Sequence, residues 1–168
     1  MASVSDSKSQ EANVETRRFM EFSLGQENFA IPLLVVKEVI DIPQFTSVPY
    51  TPDYFLGIMN LRGQVLSAID LRKKMKITPN VERNETAIII LDLDPYTLGV
   101  MVDSINSVLS LADSMIAPPP DFESRVDSEF ITGVFPAEDK LTLIIDIRRL
   151  LNSKDLRILA ANQDKKVS

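Results

Sequence analysis

The pattern of apolar and polar positions predicts a mainly β chain in which one arrangement of strands occurs twice. The first copy begins at residues 19–29 (FMEFSLGQENF) and aligns without a gap, at an offset of 69, with residues 88–98 (IIILDLDPYTL). Each segment is typical of a strand, a polar turn and the beginning of a second strand. After seven additional residues the match resumes at an offset of 76, where residues 69–72 (IDLR) align with residues 145–148 (IDIR). Two repeats are too few for a solenoid, so we expect a pseudo-symmetric pair of small β subdomains that share one core.

A short helix is predicted after the first two strands. Pro32 suits the first turn of a helix, because its missing N–H is not needed there, and residues 33–40 would continue the helix. This segment is apolar on nearly all sides except at Lys37 and Glu38. Two helical turns are not stable alone, so we expect the helix to pack on the core and to leave any uncovered face for a partner.

A hairpin is predicted in each copy after an irregular connector. Residues 43–52 contain three prolines, and strands at 54–61 and 64–71 follow them around the turn 60–63 (NLRG). Asn at the first and Gly at the fourth position favour a type I turn. The second copy has a hairpin of the same spacing, but its turn reads PAED at 136–139. The two copies therefore share a scaffold and differ in this turn.

The remaining elements complete the second copy. A terminal amphipathic helix is expected at 153–162, with Leu156 and Leu159 or Ala160 facing inward. The strongest later strands are predicted at 86–93, 97–104 and 141–147.

Composition excludes several classes of function. The chain has no cysteine and no histidine, which removes disulfides, thiolate and imidazole metal ligands, and the commonest general base. Its 24 acidic and 18 basic residues give a net charge of −6 without a basic run, so nucleic acid is not an expected partner. The sequence has neither a membrane span nor a signal-peptide pattern, and residues 1–16 read as a disordered arm of an intracellular protein.

Other polar groups have simpler structural interpretations. Asp70 and Asp146 occupy equivalent strand ends, where a carboxylate dyad is conceivable but capping of the following turns is favoured. Asp92 and Asp94 lack the longer set of acidic residues that a calcium loop needs. Residues 118–120 (PPP) read as a rigid connector rather than a polyproline ligand, and no phosphate-binding motif is present.

An ordered set of motifs carries a family resemblance over about four-fifths of the chain. In order they are FSLG (22–25), VKEV (36–39), the run 48–63 ending in NLRG, IDLR (69–72), GVMVD (99–103), PPPDF (118–122), ITG (131–133) and LIIDIRRLL (143–151). Together they resemble the CheW family, the coupling proteins of bacterial chemotaxis. We therefore expect a CheW-like domain over residues 17–151, followed by a C-terminal helix and tail over 152–168.

The resemblance implies both fold and function. The implied fold is two SH3-like five-stranded β-barrels on a shared core, with short helices and a C-terminal helix. The implied protein is a cytoplasmic adaptor without catalysis, cofactor or metal, which tethers the histidine kinase CheA to the cytoplasmic tips of chemoreceptors in membrane-associated arrays. The regulatory domain of that kinase has the same fold, so barrel could bind barrel. The resemblance implies neither nucleic-acid binding nor insertion into the membrane.

The candidate receptor-binding surface centres on Arg62. This residue lies in the most recognisable family motif, and the equivalent turn of the second copy has no arginine. Glu38 is the expected ion-pair partner, as the acid on an otherwise apolar segment. At Gly57, beside Ile58, a partner backbone could approach closely. The predicted surface consists of Val35, Val36, Glu38, Val39, Gly57, Ile58, Arg62 and Gly63; no residues are assigned to the kinase contact.

Two alternatives remain open at this stage. One is a CheW-like adaptor for a chemosensory pathway other than motility, which the same motifs would fit. The other, from a different class, is an enzyme that uses Asp or Lys in the cleft between the barrels. The sequence does not determine which receptor or kinase is bound, which barrel contacts which partner, or the oligomeric state in an array.

Overall fold

The computed structural model describes residues 15–80, 85–119, 129–137 and 139–162. The predicted arm lies outside the described residues except at its end, where Thr16 already belongs to the first strand. The first copy contains β1 (Thr16–Leu24), β2 (Glu27–Pro32), a 3-10 turn (Leu33–Val35), β3 (Val36–Ile40), β4 (Phe55–Leu61), β5 (Gln64–Asp70) and α1 (Leu71–Lys74). The second contains β6 (Ala87–Leu93), β7 (Tyr96–Val102), β8 (Ser104–Ala112), a 3-10 turn (Asp113–Met115), β9 (Ile131–Ala137), β10 (Lys140–Ile145) and α2 (Ile147–Leu150), before α3 (Ser153–Asn162).

The predicted repeat is confirmed, but the two copies exchange strands. Sheet A has the order β8-β1-β2-β10-β9, and sheet B has the order β3-β6-β7-β5-β4. Replacing each strand by its repeat equivalent converts one order into the other, so the sheets are related by pseudo-two-fold symmetry. Each sheet takes strands from both copies, since β1 and β2 join sheet A while β3, β4 and β5 join sheet B. Neither sheet is therefore a continuous half of the chain.

Each five-stranded sheet is closed by the chain that leaves its edge strand. After β3, Thr46 exchanges two backbone hydrogen bonds with Ile58 on β4, with N···O distances of 2.8 and 2.9 Å. After β8, Ala117 makes the same pair of bonds with Val134 on β9, at 2.8 and 2.9 Å. These bridges connect the two edges of each sheet. They give the barrel-like closure that the family resemblance implied.

Strand β6 shows how one core is shared by the two sheets. Its side chains alternate between opposite faces, because successive residues of a strand point to opposite sides. Ile89 and Leu91 join a large cluster with residues from both sheets, such as Phe22 and Phe29 of sheet A. Ile88 instead joins a smaller cluster on the other face of sheet B. A matching small cluster lies on sheet A. Strand β6 is thus buried on both faces, and the large cluster is the predicted shared core.

Three predictions of local structure were wrong. Residues 33–40 form a 3-10 turn and strand β3 instead of a helix, because their β-branched side chains suit a strand and β3 gains backbone pairing with β6. Strand β8 was not predicted beyond its first residue. The turn after β4 is a two-residue hairpin turn with φ of 52° at Arg62 and 85° at Gly63, which is the pattern of type I′ rather than type I. Type I′ matches the right-handed twist of the paired strands, so it is favoured over type I in a two-residue hairpin.

Repeat-equivalent acids cap the short helices, as the sequence favoured. Asp70 Oδ1 accepts a hydrogen bond from the backbone N–H of Arg72 at 3.0 Å, and Asp146 Oδ1 accepts one from Arg148 at 3.0 Å. Each carboxylate thus satisfies a donor at a helix N-terminus. The predicted terminal helix is also confirmed as α3, where Leu159 is buried and Ala160 is exposed.

Arg72 and Arg148, the residues that follow the two capping acids, each connect their own sheet to the other sheet. Arg72, which follows the last strand of its copy in sheet B, donates to Asp103 Oδ1 at 2.6 Å, and Asp103 Oδ2 accepts from the N–H of Gly25 in the β1–β2 turn of sheet A at 2.5 Å. Arg148, which follows sheet A, donates to the backbone carbonyls of Leu93 and, at 3.0 Å, Asp94 in the β6–β7 turn of sheet B. Each arginine therefore fixes the first hairpin of the other sheet.

Helix α3 is fixed to sheet B by a buried ion pair. Lys74 Nζ lies 2.8 Å from Asp155 Oδ2, and the Tyr54 hydroxyl donates to the other oxygen of Asp155. Burial alone would lower the pKa of Lys74, but the hydrogen bonds to Asp155 and Tyr54 together with the charge of Asp155 outweigh it and raise that pKa above its ordinary value. Burial raises the pKa of Tyr54, and the hydrogen bond to Asp155 adds to that increase. The helix is therefore held in place by charge as well as by apolar packing.

Candidate docking site

The candidate residues lie on the two edge strands of sheet B and on the turn between β4 and β5. Strands β3 and β4 are at opposite ends of the strand order. The bridge between Thr46 and Ile58 brings these ends together. Residues that are distant in sheet order therefore form one surface, which is why β3 can contact the β4–β5 turn.

Arg62 and Glu38 form the predicted ion pair. Arg62 Nη2 donates to Glu38 Oε1 across from the β4–β5 turn to β3. The side chain of Arg62 is 70% exposed and that of Glu38 is 31% exposed. The predicted contact is confirmed, and of the two side chains only that of Glu38 is partly buried. The guanidinium is presented to solvent while its carboxylate partner is anchored on the strand.

The hairpin turn holds Arg62 in an unusual backbone conformation. Its φ of 52° lies in the left-handed region, which few non-glycine residues occupy. Asn60 Oδ1 accepts a hydrogen bond from the N–H of Gly63 at 2.9 Å and so supports the turn from the strand residue that precedes it. Strain of this kind is commonly retained at binding sites. The turn projects the Arg62 side chain beyond the end of the sheet.

The three candidate valines differ in exposure. Val35 and Val36 are half-buried and pack against the large shared core. Val39 is 40% exposed, so it is the outward-facing member. A bulge between Val36 and Glu38 reverses the direction of the side chains along β3, because it inserts an extra residue opposite one residue of β6. The register pairs Val36 with Leu91 and Val39 with Ile89, so the bulge brings both valines to one face, and Val39 is the more exposed of the two.

Gly57 makes its close contact within the chain. It is buried with φ of 129°, and a Cβ at this position would lie 2.2 Å from the backbone oxygen of Thr46. The glycine therefore allows the closing bridge of sheet B to form, and a direct contact of Gly57 with a partner stays a prediction. Ile58 is half-buried and lines an open groove of about 480 Å³ together with the connector residues Pro43 and Gln44. This groove lies beside the bridge and next to the β4–β5 hairpin.

Sequence reasoning missed several exposed apolar side chains near these elements. Leu34 is 98% exposed in the 3-10 turn before β3, and Tyr50 is 99% exposed with a positive φ of 63° in the connector. Ile42, just after β3, is 42% exposed. The repeat held a signal for Leu34, because its equivalent at the offset of 69 is the buried acid Asp103. Because the other copy has a structural acid at this position, the exposed Leu34 indicates that this position serves a different function in the first copy.

The surface has the composition of a binding site. It combines an exposed ion pair, outward apolar side chains and an open groove, which suits a protein partner better than a reacting small molecule. Among the described residues, no group of three or more acidic side chains is placed to hold a metal ion. No helix in the described part of the chain is both long and apolar enough to cross a membrane.

Comparisons with known proteins agree on one family. The family model described as a CheW-like domain matches residues 18–155. The chemotaxis protein CheW of Klebsiella aerogenes is 32% identical over 143 residues, which cover 85% of this chain and 86% of that protein. The chemotaxis protein CheW of Helicobacter pylori is 31% identical over 143 residues, covering 84% of this chain and 86% of that protein.

A solved structure extends the agreement to the fold. The crystal structure of the scaffolding protein TtCheW from Thermoanaerobacter tengcongensis superposes with a TM-score of 0.75 at 29% sequence identity. The match covers 84% of this chain and 96% of that one. The arrangement of two five-stranded sheets is therefore shared with a scaffolding protein.

Proposed function

We propose that this chain, which belongs to the CheW-like family and is a chemotaxis scaffold, couples chemoreceptors to a CheA-like histidine kinase without catalysing a reaction. Proteins of this family act as scaffolds, and the matched segment includes the ten described strands except the first two residues of β1. The adaptor would work at the cytoplasmic tips of the receptors, inside the signalling array. Its partners are chemotaxis signalling proteins, and we propose that a chemoreceptor and a CheA-like kinase are these partners.

The exposed Arg62–Glu38 pair is the observation that supports the receptor contact most directly. A guanidinium oriented by a carboxylate needs little further ordering on binding, so it offers a preorganised donor to a receptor helix. Val39 and Leu34 add exposed apolar area next to it. The proposed surface keeps the predicted residues Val35, Val36, Glu38, Val39, Gly57, Ile58, Arg62 and Gly63, and gains Leu34.

The contacts of an adaptor need to be small and reversible. Transient signalling interfaces bury on the order of 1,200 Å² or less. The large shared core takes up many of the apolar residues of this chain, and few large apolar side chains of the described residues are exposed. A kinase domain with the same fold would dock through a barrel surface. This pairing rests on fold-level analogy.

Reconstitution with a receptor fragment and the kinase tests the proposal. We expect receptor control of kinase activity only when the chain is present, since its task is to connect the two. Val39→Asp should remove this control, whereas Leu141→Asp, an exposed position on sheet A that is 57% accessible, should retain it. Equal receptor control with and without the chain would contradict the adaptor function. Loss of control in both variants would contradict the location of the site.

A further inference from the structure

Three buried carboxylates in this chain each have a cationic partner. Arg72 Nε lies 2.9 Å from Asp70 Oδ1, and Arg72 Nη1 lies 2.6 Å from Asp103 Oδ1. Lys74 Nζ lies 2.8 Å from Asp155 Oδ2. These pairs follow the general rule that a charge removed from water is neutralised by a neighbour. Any other buried acid of this chain can be compared with these three pairs.

Glu21 on β1 departs from this rule. It is only 8% exposed, yet none of the described residues forms a salt bridge with it. Its Oε2 accepts a hydrogen bond from Thr142 Oγ1 at 2.8 Å, and its Oε1 receives a contact of 3.5 Å from Asn106 Nδ2. Both neighbours are neutral, and 3.5 Å is too long for a strong hydrogen bond. One carboxylate oxygen therefore has capacity for a stronger, charged donor.

A β-bulge on the edge strand β8 lies beside this carboxylate. Glu21 pairs with Ser107, whereas the next residue, Phe22, pairs with Ile105, so Asn106 is the extra residue of the bulge. Strand β8 is an edge strand, and Asn106 is exposed. Bulges at sheet edges commonly redirect a side chain at a site. Here the redirected amide lies between solvent and Glu21.

The corresponding bulge in sheet B lies beside an acid that has an arginine partner. At the offset of 69, Asn106 corresponds to Lys37, the extra residue of the β3 bulge beside Glu38. There the acid lies on the edge strand and pairs with Arg62 from the hairpin turn. In sheet A the equivalent turn carries acidic residues, with Asp139 exposed, and the next residue, Lys140, donates to the backbone oxygen of Gln26 at 3.0 Å. Ser107 replaces Glu38 on the edge strand, and the acid is Glu21 on the neighbouring strand, where no arginine of the described residues pairs with it.

We propose that the edge of sheet A at Glu21 is a second docking site, which binds an arginine side chain of a protein partner. The incoming guanidinium would donate to Glu21 Oε1 and be surrounded by the amide and hydroxyl oxygens of Asn106, Ser23 and Asn28, which already form one hydrogen-bonded group with separations of 3.0 to 3.4 Å. An arginine suits the site better than a lysine, because its planar fork can contact several oxygens at once. The acidic turn at Asp139 would favour the approach of a positive group.

A titration of the isotope-labelled chain tests the chemistry of the site directly. The probe is N-acetyl-L-arginine amide, and its neutral isostere N-acetyl-L-citrulline amide is the control. We expect saturable chemical-shift changes at Glu21, Asn106 and Thr142 with the arginine probe only, and their loss in Glu21→Gln. Identical responses to the two probes, or no response to arginine, would overturn the proposal. The titration uses no chemotaxis partner, so its failure is distinct from failure of the adaptor function.

Thermal unfolding provides a second, independent criterion. A carboxylate kept for an external cation does not stabilise the free protein, so Glu21→Gln should leave the midpoint unchanged or raise it. Asp155→Asn, which removes a carboxylate from an internal ion pair, should lower the midpoint. A loss in Glu21→Gln as large as that in Asp155→Asn would show that Glu21 is structural and would overturn the proposal.

Discussion

The pair of Arg62 and Glu38 allows stability and binding to be separated. Because the Arg62 side chain is 70% exposed, the pair is largely solvated in the free protein. Exposed ion pairs contribute roughly 0.2–1 kcal/mol to stability, so Arg62→Ala and Glu38→Ala should each leave the free energy of unfolding almost unchanged. When a receptor covers the pair, solvent screening falls and the interaction strengthens. Residues that act together then show a coupling energy of about 0.5–3 kcal/mol.

A double-mutant cycle in receptor binding measures this coupling. Calorimetric titration of the receptor fragment against the parent, both single variants and the double variant gives the four free energies of binding. We expect coupling in binding that exceeds any coupling in unfolding, and Arg62→Lys should already weaken binding because an ammonium lacks the planar fork.

An equally exposed ion pair elsewhere provides the control cycle. Arg17 Nε lies 3.0 Å from Asp113 Oδ1, with side chains 61% and 75% exposed, and should show no coupling in receptor binding. Additive effects at Arg62 and Glu38 would refute the reasoning and remove Glu38 from the site. Arg62 could then remain as a contact that acts alone.

Three further predictions follow from the burial and geometry of single residues. Val39→Asp should weaken receptor binding with little change in the thermal midpoint, whereas Val36→Asp should lower the midpoint because it places a charge against the core; the opposite result would mean that the exposed valine is misidentified. The raised pKa of Lys74 means that its ion pair stabilises the fold below about pH 10 and that stability falls as the pH rises through the folded-state pKa. Denaturant unfolding should show this decline, and Lys74→Met should reduce its slope; an equal slope in both proteins would contradict the assignment. Gly57→Ala should cost on the order of 1–3 kcal/mol, since its Cβ would lie 2.2 Å from a backbone oxygen at a φ of 129°, and Gly133→Ala, whose Cβ would meet a side-chain carbon at 2.6 Å, should cost less; equal losses by denaturant unfolding would show that backbone closure is not the cause.

Much of the candidate site was predictable because its signals are local. The NLRG turn, its replacement in the second copy and the lone acid near Val36 and Val39 identified Arg62 and Glu38, and the structure confirms their contact. The capping roles of Asp70 and Asp146 were likewise predictable, because a cap requires only a short side chain before a helix. Leu34 and Tyr50 were missed, since exposure of a single apolar residue leaves no periodic pattern.

The conformation of residues 33–40 was not predictable from local sequence signals. Short apolar runs fit a helix and a buried strand equally well, and Pro32 favoured a helix start. Residues 36–40 form a strand because they pair with β6, which is distant in the sequence. The bulge in β3 then brought Val36 and Val39 to the same face, where Val36 packs against the core and Val39 is exposed. Side-chain direction in a strand depends on register, and register is set by the partner strand.

The repeat, the class of the fold and the family are predictable from the sequence, because each follows from the order and spacing of residue types. The pairing of β1 and β2 with β8, β9 and β10 of the other copy in sheet A becomes visible only in three dimensions. The tertiary structure also decided that Glu21 lies buried without a cation among the described residues, although the alternating pattern of β1 places it like an ordinary surface acid. The physical reason is common to both cases. A strand satisfies its backbone through neighbours that can come from any part of the chain, and the environment of a side chain is set by those neighbours.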